Sequence, residues 1–291
     1  LPISELILDI PSGLRLGGSK SEVTMFFSDI RGFTKMSESM DPTAIVELLN
    51  EYFTRMTDIL MELDGTLDKY VGDEMMALFG APVAQPSDPI RAVLCAVKMM
   101  GALRELQEKW KKEGKPIINI GIGINTGEVT AGYMGSEKQL SYTVIGDNVN
   151  LAARVMANAK PMQVLITKVV WDRVQEYFLA DPLEPIMVKG KSKPIEIYEV
   201  KGVRDGVDFQ KVIGMDVGKL VSLGAASSPT APVSGVPQKQ SSAPLNISAE
   251  EAKKVNIVID PKANKAIECQ NCGTENEAQN KFCSKCGMPI F

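Results

Sequence analysis

Two aspartates that lie far apart in the sequence, Asp29 and Asp73, are the first candidates for chemistry. Asp29 ends a strand-like run, FFSDIRGFT, and Asp73 lies in the turn of a hairpin-like segment, LDKYVGDEMMALFG. Two carboxylates at one sheet edge repel each other unless a divalent cation lies between them, and Mg²⁺ favours one or two carboxylates together with substrate phosphates. The pattern indicates a metal site. The alternative is that both are turn residues whose side chains accept hydrogen bonds from backbone amides.

Three further residues have side chains or backbone groups suited to a phosphorylated ligand. Gly32, in the IRGFT turn, allows backbone amides to approach a phosphate closely. Asn150 and Arg154 are four residues apart on a helix-like segment and therefore share one face. Arginine there would neutralise charge on a phosphoryl group, and asparagine would hold a ribose oxygen. The alternative is an ordinary solvated helix face.

Four of the five cysteines form a separate cluster near the C-terminus. Two CxxC pairs with ten residues between them supply four thiolates, which match the tetrahedral preference of zinc. The alternatives are two disulfides or unrelated free thiols, whereas Cys95 lies at an apolar helix position and is expected in the core. We therefore predict one structural Zn²⁺ bound by Cys269, Cys272, Cys283 and Cys286.

The composition narrows the function classes. The 291 residues include no histidine, which excludes His-dependent nucleophilic triads and Cys/His zinc sites. The net charge of −4 provides no basic field, so no nucleic-acid partner is expected. No apolar run of about eighteen residues and no leader pattern are visible, so we expect no membrane segment in this chain. The cysteine pattern favours a reducing compartment, and we expect a cytoplasmic location.

Residues 22–202 alternate between strand-like and helix-like patterns, which places the candidate residues at strand ends, in turns and on helices. The first long helix is expected to begin at Pro42 with Asp41 as N-cap. The predicted elements are, in order, a strand at Glu22–Ile30, a helix from Pro42 to Gly65, two strands joined at Gly72-Asp73, a helix at Pro89–Gly114, a glycine-punctuated strand pair in INIGIGINTGEVTAGYMG, a strand in LSYTVIG, a helix at Asp147–Ala159, a strand at VLIT, a short helix around Trp171 and a strand at Pro194–Val200.

This order of strand, helix, hairpin, helix and strand predicts an α+β fold with a ferredoxin-like βαββαβ core and C-terminal additions. Past residue 202 the chain becomes rich in Pro, Ser, Ala and Gly, which is typical of a disordered linker. We predict a lead-in segment at residues 1–21, a catalytic domain at 22–202, a largely disordered linker at 203–266 and a zinc ribbon at 267–291.

Four blocks of the sequence together carry a family resemblance. FFSDIRGFT, LDKYVGDEMMALFG, GIGINTGEVTAGYMG and YTVIGDNVNLAARV, in this order, resemble the class III nucleotide cyclase catalytic domain over roughly residues 20–202. The resemblance implies a ferredoxin-like fold and two domains that pair head to tail, with composite active sites at their interface. It implies two Mg²⁺ or Mn²⁺ ions per active site, bound by Asp29, Ile30 and Asp73 of one subunit.

The same resemblance assigns the substrate contacts. The other subunit supplies Asn150 and Arg154 as the catalytic residues that act in the transition state. Lys189, rather than Lys191, matches the contact to the terminal phosphates. The remaining implied substrate-binding residues are Lys69 and Thr143 for the base, and Gly32, Phe33 and Thr34 beside the metal site.

The nature of the base follows from hydrogen-bond chemistry. Adenine has an acceptor at N1 and a donor at N6, and guanine reverses both. Lys69 only donates and Thr143 can accept, so the pair suits ATP. Most adenylate cyclases of the family pair this lysine with aspartate, and Thr143 instead resembles the subclass found in cyanobacterial and soluble-type animal enzymes. Some of these respond to bicarbonate, and we take that response as a hypothesis here.

The predicted function is therefore an adenylate cyclase that converts ATP to 3′,5′-cyclic AMP and pyrophosphate as a homodimer, for intracellular signalling. One alternative is a catalytically silent nucleotide-binding module that acts through its zinc ribbon. Another is a diguanylate cyclase, since YVGDE loosely resembles the GGDEF signature, but the GDNVN helix and Lys69 do not belong to that pattern. We expect the zinc ribbon to contact a protein partner.

Overall fold

The computed structural model describes residues 17–136 and 139–216, together with strands β9 (Ile267–Glu268) and β10 (Glu275–Asn276). The chain divides into two units, Leu1–Ser228 and Pro229–Phe291. In the second unit, β9 and β10 pair antiparallel. The four cysteines of the predicted zinc site lie outside the described residues.

The described part of the first unit contains eight strands and six helices. The strands are β1 (Gly17–Ile30), β2 (Thr66–Val71), β3 (Glu74–Phe79), β4 (Ile120–Ser136), β5 (Gln139–Ile145), β6 (Gln163–Thr167), β7 (Phe178–Pro182) and β8 (Ile197–Val203). The helices are α1 (Phe33–Ser39), α2 (Pro42–Glu62), α3 (Asp88–Glu113), α4 (Asp147–Ala157), α5 (Lys168–Val174) and α6 (Phe209–Ile213).

The strands form one sheet in the order β2-β3-β1-β4-β6-β8-β7, with β5 paired to β4 off this path. All neighbours are antiparallel except β4 and β6, which run parallel. The first four strands of this order, with α2 and α3 as their connections, form the ferredoxin-like unit. The predicted α+β class with C-terminal additions is confirmed.

Helices cover both faces of this sheet. Phe26 packs in the large core with α2 and α3, whereas the next residue, Phe27, packs in a second cluster with Ala152 and Met156 of α4. This alternation is the period of two that a strand imposes on its side chains. The helix that carries Asn150 and Arg154 therefore lies alone on the face opposite α2 and α3.

The predicted helix start and hairpin turn are confirmed. The Asp41 side chain accepts hydrogen bonds from the backbone nitrogens of Thr43 and Ala44, at 2.9 and 3.2 Å, which caps α2. Gly72 has φ of 64° in the turn between β2 and β3, a conformation that glycine adopts without strain. Asp73 follows it in that turn.

The sequence predicts a strand pair in the glycine-rich segment, and this prediction is wrong. The segment forms the single 17-residue strand β4. Its glycines allow close approach rather than turns. A Cβ on Gly123 would lie 2.2 Å from the backbone nitrogen of Met156 in α4, and one on Gly132 would lie 2.1 Å from the carbonyl oxygen of Gly17 in β1. The absent side chains let a helix and a strand pack directly against the β4 backbone.

The structure also contains elements that the sequence patterns do not predict. Helix α1 follows β1 directly, and β7 adds an edge to the sheet. In the segment assigned to the linker, helix α6 places the buried Phe209 ring against Phe178, with ring centroids 5.8 Å apart. The last predicted strand lies slightly later than expected, at Ile197–Val203, with Ile195 in an isolated bridge to Ile186.

Among the described residues, no helix is both long enough and apolar enough to cross a membrane.

Candidate active site

The sheet brings Asp29 and Asp73 to one edge. Strand β3 pairs antiparallel with β1, and the paired register ends at Ser28 opposite Met75. Continued by two residues, the same register sets the end of β1 beside the turn that carries Asp73. Two helices and a strand separate these carboxylates in the sequence, and the ferredoxin-like order of the strands brings them to the same edge.

The carboxylates at this edge disfavour one another's charge. Burial, and then the neighbouring carboxylate of Asp73, raise the pKa of Asp29 to about 6, although Arg31 opposes this shift. Burial and the charges of Asp29 and Asp73 raise the pKa of Glu74 to about 7. The Arg31 guanidinium lies 3.2 Å from Asp29 Oδ2 and is the cation in ion-pair contact with that carboxylate.

These residues fit a hard divalent cation. A bound cation would relieve the repulsion that raises both pKa values, because it stabilises the charged carboxylates. Within the described residues, no group of three or more His, Cys, Asp or Glu side chains is arranged to hold a metal. Two carboxylates therefore leave coordination positions for oxygens of another molecule, the ligand set that Mg²⁺ prefers with phosphates.

Lys69 and Thr143 are brought together from β2 and β5. Lys69 Nζ lies 3.4 Å from Thr143 Oγ1, although 74 positions separate the two residues. A third residue joins them, since Thr143 Oγ1 donates to Asp68 Oδ2 at 3.2 Å and Lys69 Nζ lies 3.4 Å from the same oxygen. This cluster has a donor and an acceptor side by side.

Helix α4 carries Asn150 and Arg154 toward the segment that contains Lys189. Asn150 is exposed, whereas Nη1 of Arg154 is buried and has no hydrogen-bond partner among the described residues. The same Nη1 would lie 3.7 Å from a Cβ on Gly190, so Arg154 reaches the loop next to Lys189. Lys191 pairs with Asp147 at the start of α4.

Lys189 itself is exposed, and no ion pair is found for it in the described part of the chain. The structure therefore gives the three lysines of this loop different surroundings. Lys191 is held by a carboxylate, whereas Lys189 and Lys193 are exposed and have no ion pair among the described residues. The role of Lys189 remains a prediction.

Gly32, Phe33 and Thr34 lie where β1 passes into α1. Gly32 has φ of 75° and precedes the helix, and nothing lies within 4 Å of a Cβ placed on it. The backbone of this turn therefore borders open space directly after the strand that carries Asp29 and Ile30. The predicted contacts of these residues, and of Ile30 with a metal, stay predictions.

Sequence reasoning missed a polar network that anchors α4 to the sheet. Asn125 of β4, which is buried, donates from Nδ2 to the carbonyl oxygen of Asn148 at 3.1 Å and accepts from Thr167 Oγ1 at 2.9 Å. Asn148 Nδ2 in turn donates to the carbonyl oxygen of Glu128 at 2.9 Å. A polar residue inside the apolar run INIGIGINTG was the available sign of this network.

The three groups of predicted residues remain separate within one chain. Among the described residues, no hydrogen bond or ion pair joins the carboxylates of Asp29 and Asp73 to the pair of Lys69 and Thr143, or either group to Arg154. One chain thus contains each part of the predicted site.

The ferredoxin-like sheet, the paired carboxylates at one edge, and the donor and acceptor brought together from β2 and β5 are features of a nucleotide cyclase domain. The chain belongs to the family of adenylate and guanylate cyclase catalytic domains, whose family model matches residues 17–202. A zinc-ribbon domain matches residues 269–290.

Curated relatives include adenylate cyclases from bacteria. Adenylate cyclase 1 of Rhizobium meliloti (strain 1021) is 33% identical over 186 residues, which cover 63% of this chain and 28% of that protein. The adenylate cyclase of Anabaena cylindrica is 37% identical over 192 residues, covering 63% of this chain and 37% of that protein. The chain therefore matches well under half the length of these relatives.

Solved structures with this fold include both kinds of cyclase. The guanylyl cyclase Cya2 has a TM-score of 0.63 and 38% identity, covering 66% of this chain and 97% of that one. The adenylyl cyclase CyaB from P. aeruginosa has a TM-score of 0.63 and 36% identity, covering 66% and 100%. Similarity of fold therefore does not distinguish ATP from GTP as substrate.

Proposed function

We propose that this protein is an adenylate cyclase that converts ATP to 3′,5′-cyclic AMP and pyrophosphate, for intracellular signalling. The observation that carries the proposal is the contact of Lys69 Nζ with Thr143 Oγ1 at 3.4 Å. A donor and an acceptor at this separation match N1 and N6 of adenine. Guanine would set its N1 proton against an ammonium group, which leaves two donors facing each other without an acceptor and is strongly disfavoured.

Asp29 and Asp73 would hold two Mg²⁺ or Mn²⁺ ions, with the Ile30 carbonyl oxygen as a further ligand. Such ions lower the pKa of the ribose 3′-hydroxyl and neutralise the leaving pyrophosphate. The raised pKa of Asp29, at about 6, supports this assignment because it reports carboxylates that need a counter-charge.

The reaction needs one bond to form and one to break. The ribose 3′-hydroxyl loses its proton to water and its oxygen bonds to the α-phosphorus, while the bond from that phosphorus to the oxygen bridging to the β-phosphate breaks and its electron pair leaves with pyrophosphate. Arg154 would stabilise charge on the α-phosphoryl oxygens, and its buried, unpaired Nη1 supports this role. Asn150 would orient the ribose, and Lys189 would contact the terminal phosphates.

The turn after β1 would complete the triphosphate contacts. Gly32 borders open space shortly after Asp29 and Ile30, and Phe33 and Thr34 follow it at the start of α1. Backbone amides in such turns bind phosphate oxygens without a side chain.

The active form would be a homodimer whose sites are shared between chains. Each chain contains the metal-binding carboxylates and the base-recognition pair, so a symmetric pair can build two complete sites. Val71 at the hairpin turn and Ile145 at the end of β5 are 58% and 61% exposed, and these apolar side chains lie beside the residues that would be shared. Their exposure in the single chain supports an interface there.

The zinc-ribbon residues have a separate proposed role. Four thiolates in two CxxC pairs suit one structural Zn²⁺, and we assign the ribbon to binding a protein partner. Thiolate ligands need a reducing compartment, and with ATP as substrate this favours the cytoplasm.

Thr143 supports the proposed Lys/Thr subclass, and a bicarbonate response is the corresponding hypothesis. Activity would be measured across a bicarbonate titration at fixed pH, with chloride at matched ionic strength as the control. A flat response would rule out bicarbonate sensitivity while leaving the adenylate cyclase proposal intact.

The decisive experiment is product formation by the purified protein from ATP and from GTP, with Mg²⁺ and Mn²⁺ separately. Metal-dependent cyclic AMP from ATP, lost in Asp29→Asn, is the expected result. Cyclic GMP as the main product would contradict the base assignment. No product from a folded dimer that still binds ATP would favour a silent nucleotide-binding module.

A further inference from the structure

The Thr143 hydroxyl alone does not determine whether it contacts adenine or guanine. A hydroxyl both donates and accepts, so it could accept from the adenine amino group or donate to the guanine carbonyl. The atoms around Thr143 must therefore decide which of the two it does. The structure contains such a neighbour in Asp68.

Asp68 reaches Thr143 because of an irregularity in β2. Consecutive strand residues point to opposite faces, so Asp68 and Lys69 would normally face apart. The register between β2 and β3 shifts between Leu67, opposite Ala77, and Lys69, opposite Met76. Asp68 is the extra residue of this bulge, and a bulge can re-aim a side chain. Both side chains consequently meet Thr143.

The hydrogen bonds around Thr143 then follow from what each group can do. The Asp68 side chain is only 1% exposed, and its Oδ2 accepts from Thr143 Oγ1 at 3.2 Å. An ionised carboxylate accepts and never donates, so the single hydroxyl proton of Thr143 is committed to Asp68. Burial raises the pKa of Asp68, and the Lys69 ammonium, 3.4 Å from the same carboxylate oxygen, opposes that shift together with the Thr143 hydroxyl, so both neighbours favour the ionised form.

What remains available to a ligand is one donor and one acceptor. Lys69 directs protons to Asp68 and to Thr143 and keeps a third. Thr143 Oγ1 has one lone pair facing Lys69 and a second one free. This pattern matches adenine, which accepts at N1 and donates from N6.

We infer that Asp68 is a positioning residue for base selection, which fixes the Thr143 hydroxyl as an acceptor and thereby excludes guanine. The inference rests on the proposed use of ATP and deepens it. Asp68 touches neither the nucleotide nor the metal in this scheme and acts only through Thr143 and Lys69.

A second observation sets Asp68 apart from an ordinary structural carboxylate. Its Oδ1 is buried and has no hydrogen-bond partner within the described residues. A buried acceptor without a donor lowers stability, so this side chain is not placed for the benefit of the fold. An apolar residue at this bulge would stabilise the fold as well as Asp68 does.

The test is the ratio of affinities for 3′-deoxy-ATP and 3′-deoxy-GTP, which lack the reacting hydroxyl, measured with Mn²⁺ by calorimetry. Asp68→Asn keeps the shape but adds an amide donor that can bond Thr143 Oγ1 and release its proton toward guanine. The preference for 3′-deoxy-ATP is expected to fall about tenfold, the effect of one misdirected hydrogen bond. The ratio of kcat/KM for the two triphosphates should change in parallel.

Two further variants isolate the cause. In a Thr143→Val background there is no hydroxyl to orient, so adding Asp68→Asn should leave the base ratio unchanged. Asp64→Asn is the matched control, because it removes an exposed carboxylate just before β2 at a φ of 52° that asparagine tolerates. Its ratio should equal that of the unmodified protein.

The outcomes are distinguishable from those of the proposed function. If the unmodified protein binds neither analogue, or prefers 3′-deoxy-GTP, the adenylate cyclase proposal fails. If it prefers 3′-deoxy-ATP and Asp68→Asn keeps that preference in full, the role of Asp68 is wrong while the function stands. Asp68→Ala, which also frees the hydroxyl proton, should shift the ratio in the same direction and serves if Asp68→Asn does not fold.

Discussion

Two charged clusters share the β2–β3 hairpin, and they differ in how far their charges are compensated within one chain. Around Lys69, the Asp68 carboxylate and the Thr143 hydroxyl each lie 3.4 Å from the ammonium group, and the hydroxyl donates to Asp68 at 3.2 Å. Around Asp73, burial and like charges raise the pKa of Asp29 to about 6 and that of Glu74 to about 7. The first cluster forms within one chain, and we expect the second to bind a cation.

The difference matches what each cluster would bind. A neutral base needs directed hydrogen bonds, which a rigid and internally paired cluster provides at little reorganisation cost. A metal-bound triphosphate carries charge, and unpaired carboxylates supply the attraction for its cations. The charges in LDKYVGDEMM are thus compensated in two ways, by side chains on one side of Gly72 and by an expected cation on the other.

The largest expected effect comes from removing a carboxylate of the incomplete cluster. Asp73→Asn should reduce cyclic AMP formation by on the order of a hundredfold to a thousandfold or more, by analogy with loss of a charge-stabilising group. Its metal-free melting temperature should not fall, because one source of repulsion is gone. Asp58→Asn, at an exposed position of α2, is the control and should retain activity. Turnover by Asp73→Asn would refute the metal assignment.

A mixing experiment tests whether the two clusters act across a dimer interface. Asp73→Asn and Lys69→Glu should each be inactive alone. After random mixing at equal amounts, about half of the dimers are heterodimers, and each heterodimer has one intact site of two. About a quarter of the unmodified activity should therefore return. Mass measurement of the mixed dimer provides the control. Proven heterodimers without recovered activity would show that the clusters serve a site within one chain.

A variant remote from both clusters provides a baseline for the comparison. Asn125→Ala removes the side chain that ties Asn148 and Thr167 together, and should cost about 1–3 kcal/mol of unfolding free energy. Loosening α4 should reduce kcat about tenfold through Asn150 and Arg154, since misplaced groups lose transition-state stabilisation. The ratio of ATP to GTP use and the metal requirement should not change. A shift in either would mean that the network also supports one of the clusters.

The smallest effect concerns pH and metal. The pKa of Asp29 rises from 3.8 to about 6 and that of Glu74 from 4.5 to about 7 in the folded chain, so ionising them opposes folding. The loss of folding stability is absent at pH values below the ordinary pKa values of these groups and complete above their pKa values in the folded chain. Mn²⁺ should therefore raise the melting temperature by a few degrees at pH 8 and hardly at all at pH 5. An equal shift at both pH values would contradict this account.

Asp73→Asn is the control for the pH experiment. It removes one of the charges that raise both pKa values, so the difference between the Mn²⁺ effects at pH 8 and pH 5 should shrink. Differential scanning fluorimetry without nucleotide gives the four melting temperatures of each protein, at pH 5 and pH 8 with and without Mn²⁺. A full difference in this variant would place the metal elsewhere.

Local patterns predict the cap at Asp41, the turn at Gly72 and the ferredoxin-like order, because each depends on nearby residues or on element sequence alone. The pairing of Lys69 with Thr143 follows from the family resemblance, and the structure brings the two together. Asp68 escapes prediction because strand alternation sets it on the opposite face, and only the bulge in β2 reverses this. Register irregularities of this kind depend on the partner strand.

The glycines of β4 show the other limit of sequence reasoning. Glycine marks a turn in many sequences, yet in β4 it marks where another backbone approaches. Which meaning applies depends on residues distant in the sequence, such as Met156 at Gly123 and Gly17 at Gly132. A polar residue such as Asn125 is visible in the sequence, but its partners are not.

Gly123 also sets a mechanical dimension of the domain. With the Met156 backbone nitrogen 2.2 Å from where a Cβ would lie, the height of α4 above the sheet is fixed by one missing methyl group. A methyl group at this position would push α4 away from the sheet and displace Asn150 and Arg154 together. If the proposed function holds, a substitution at Gly123 is expected to change the turnover rate through α4 without contacting the nucleotide.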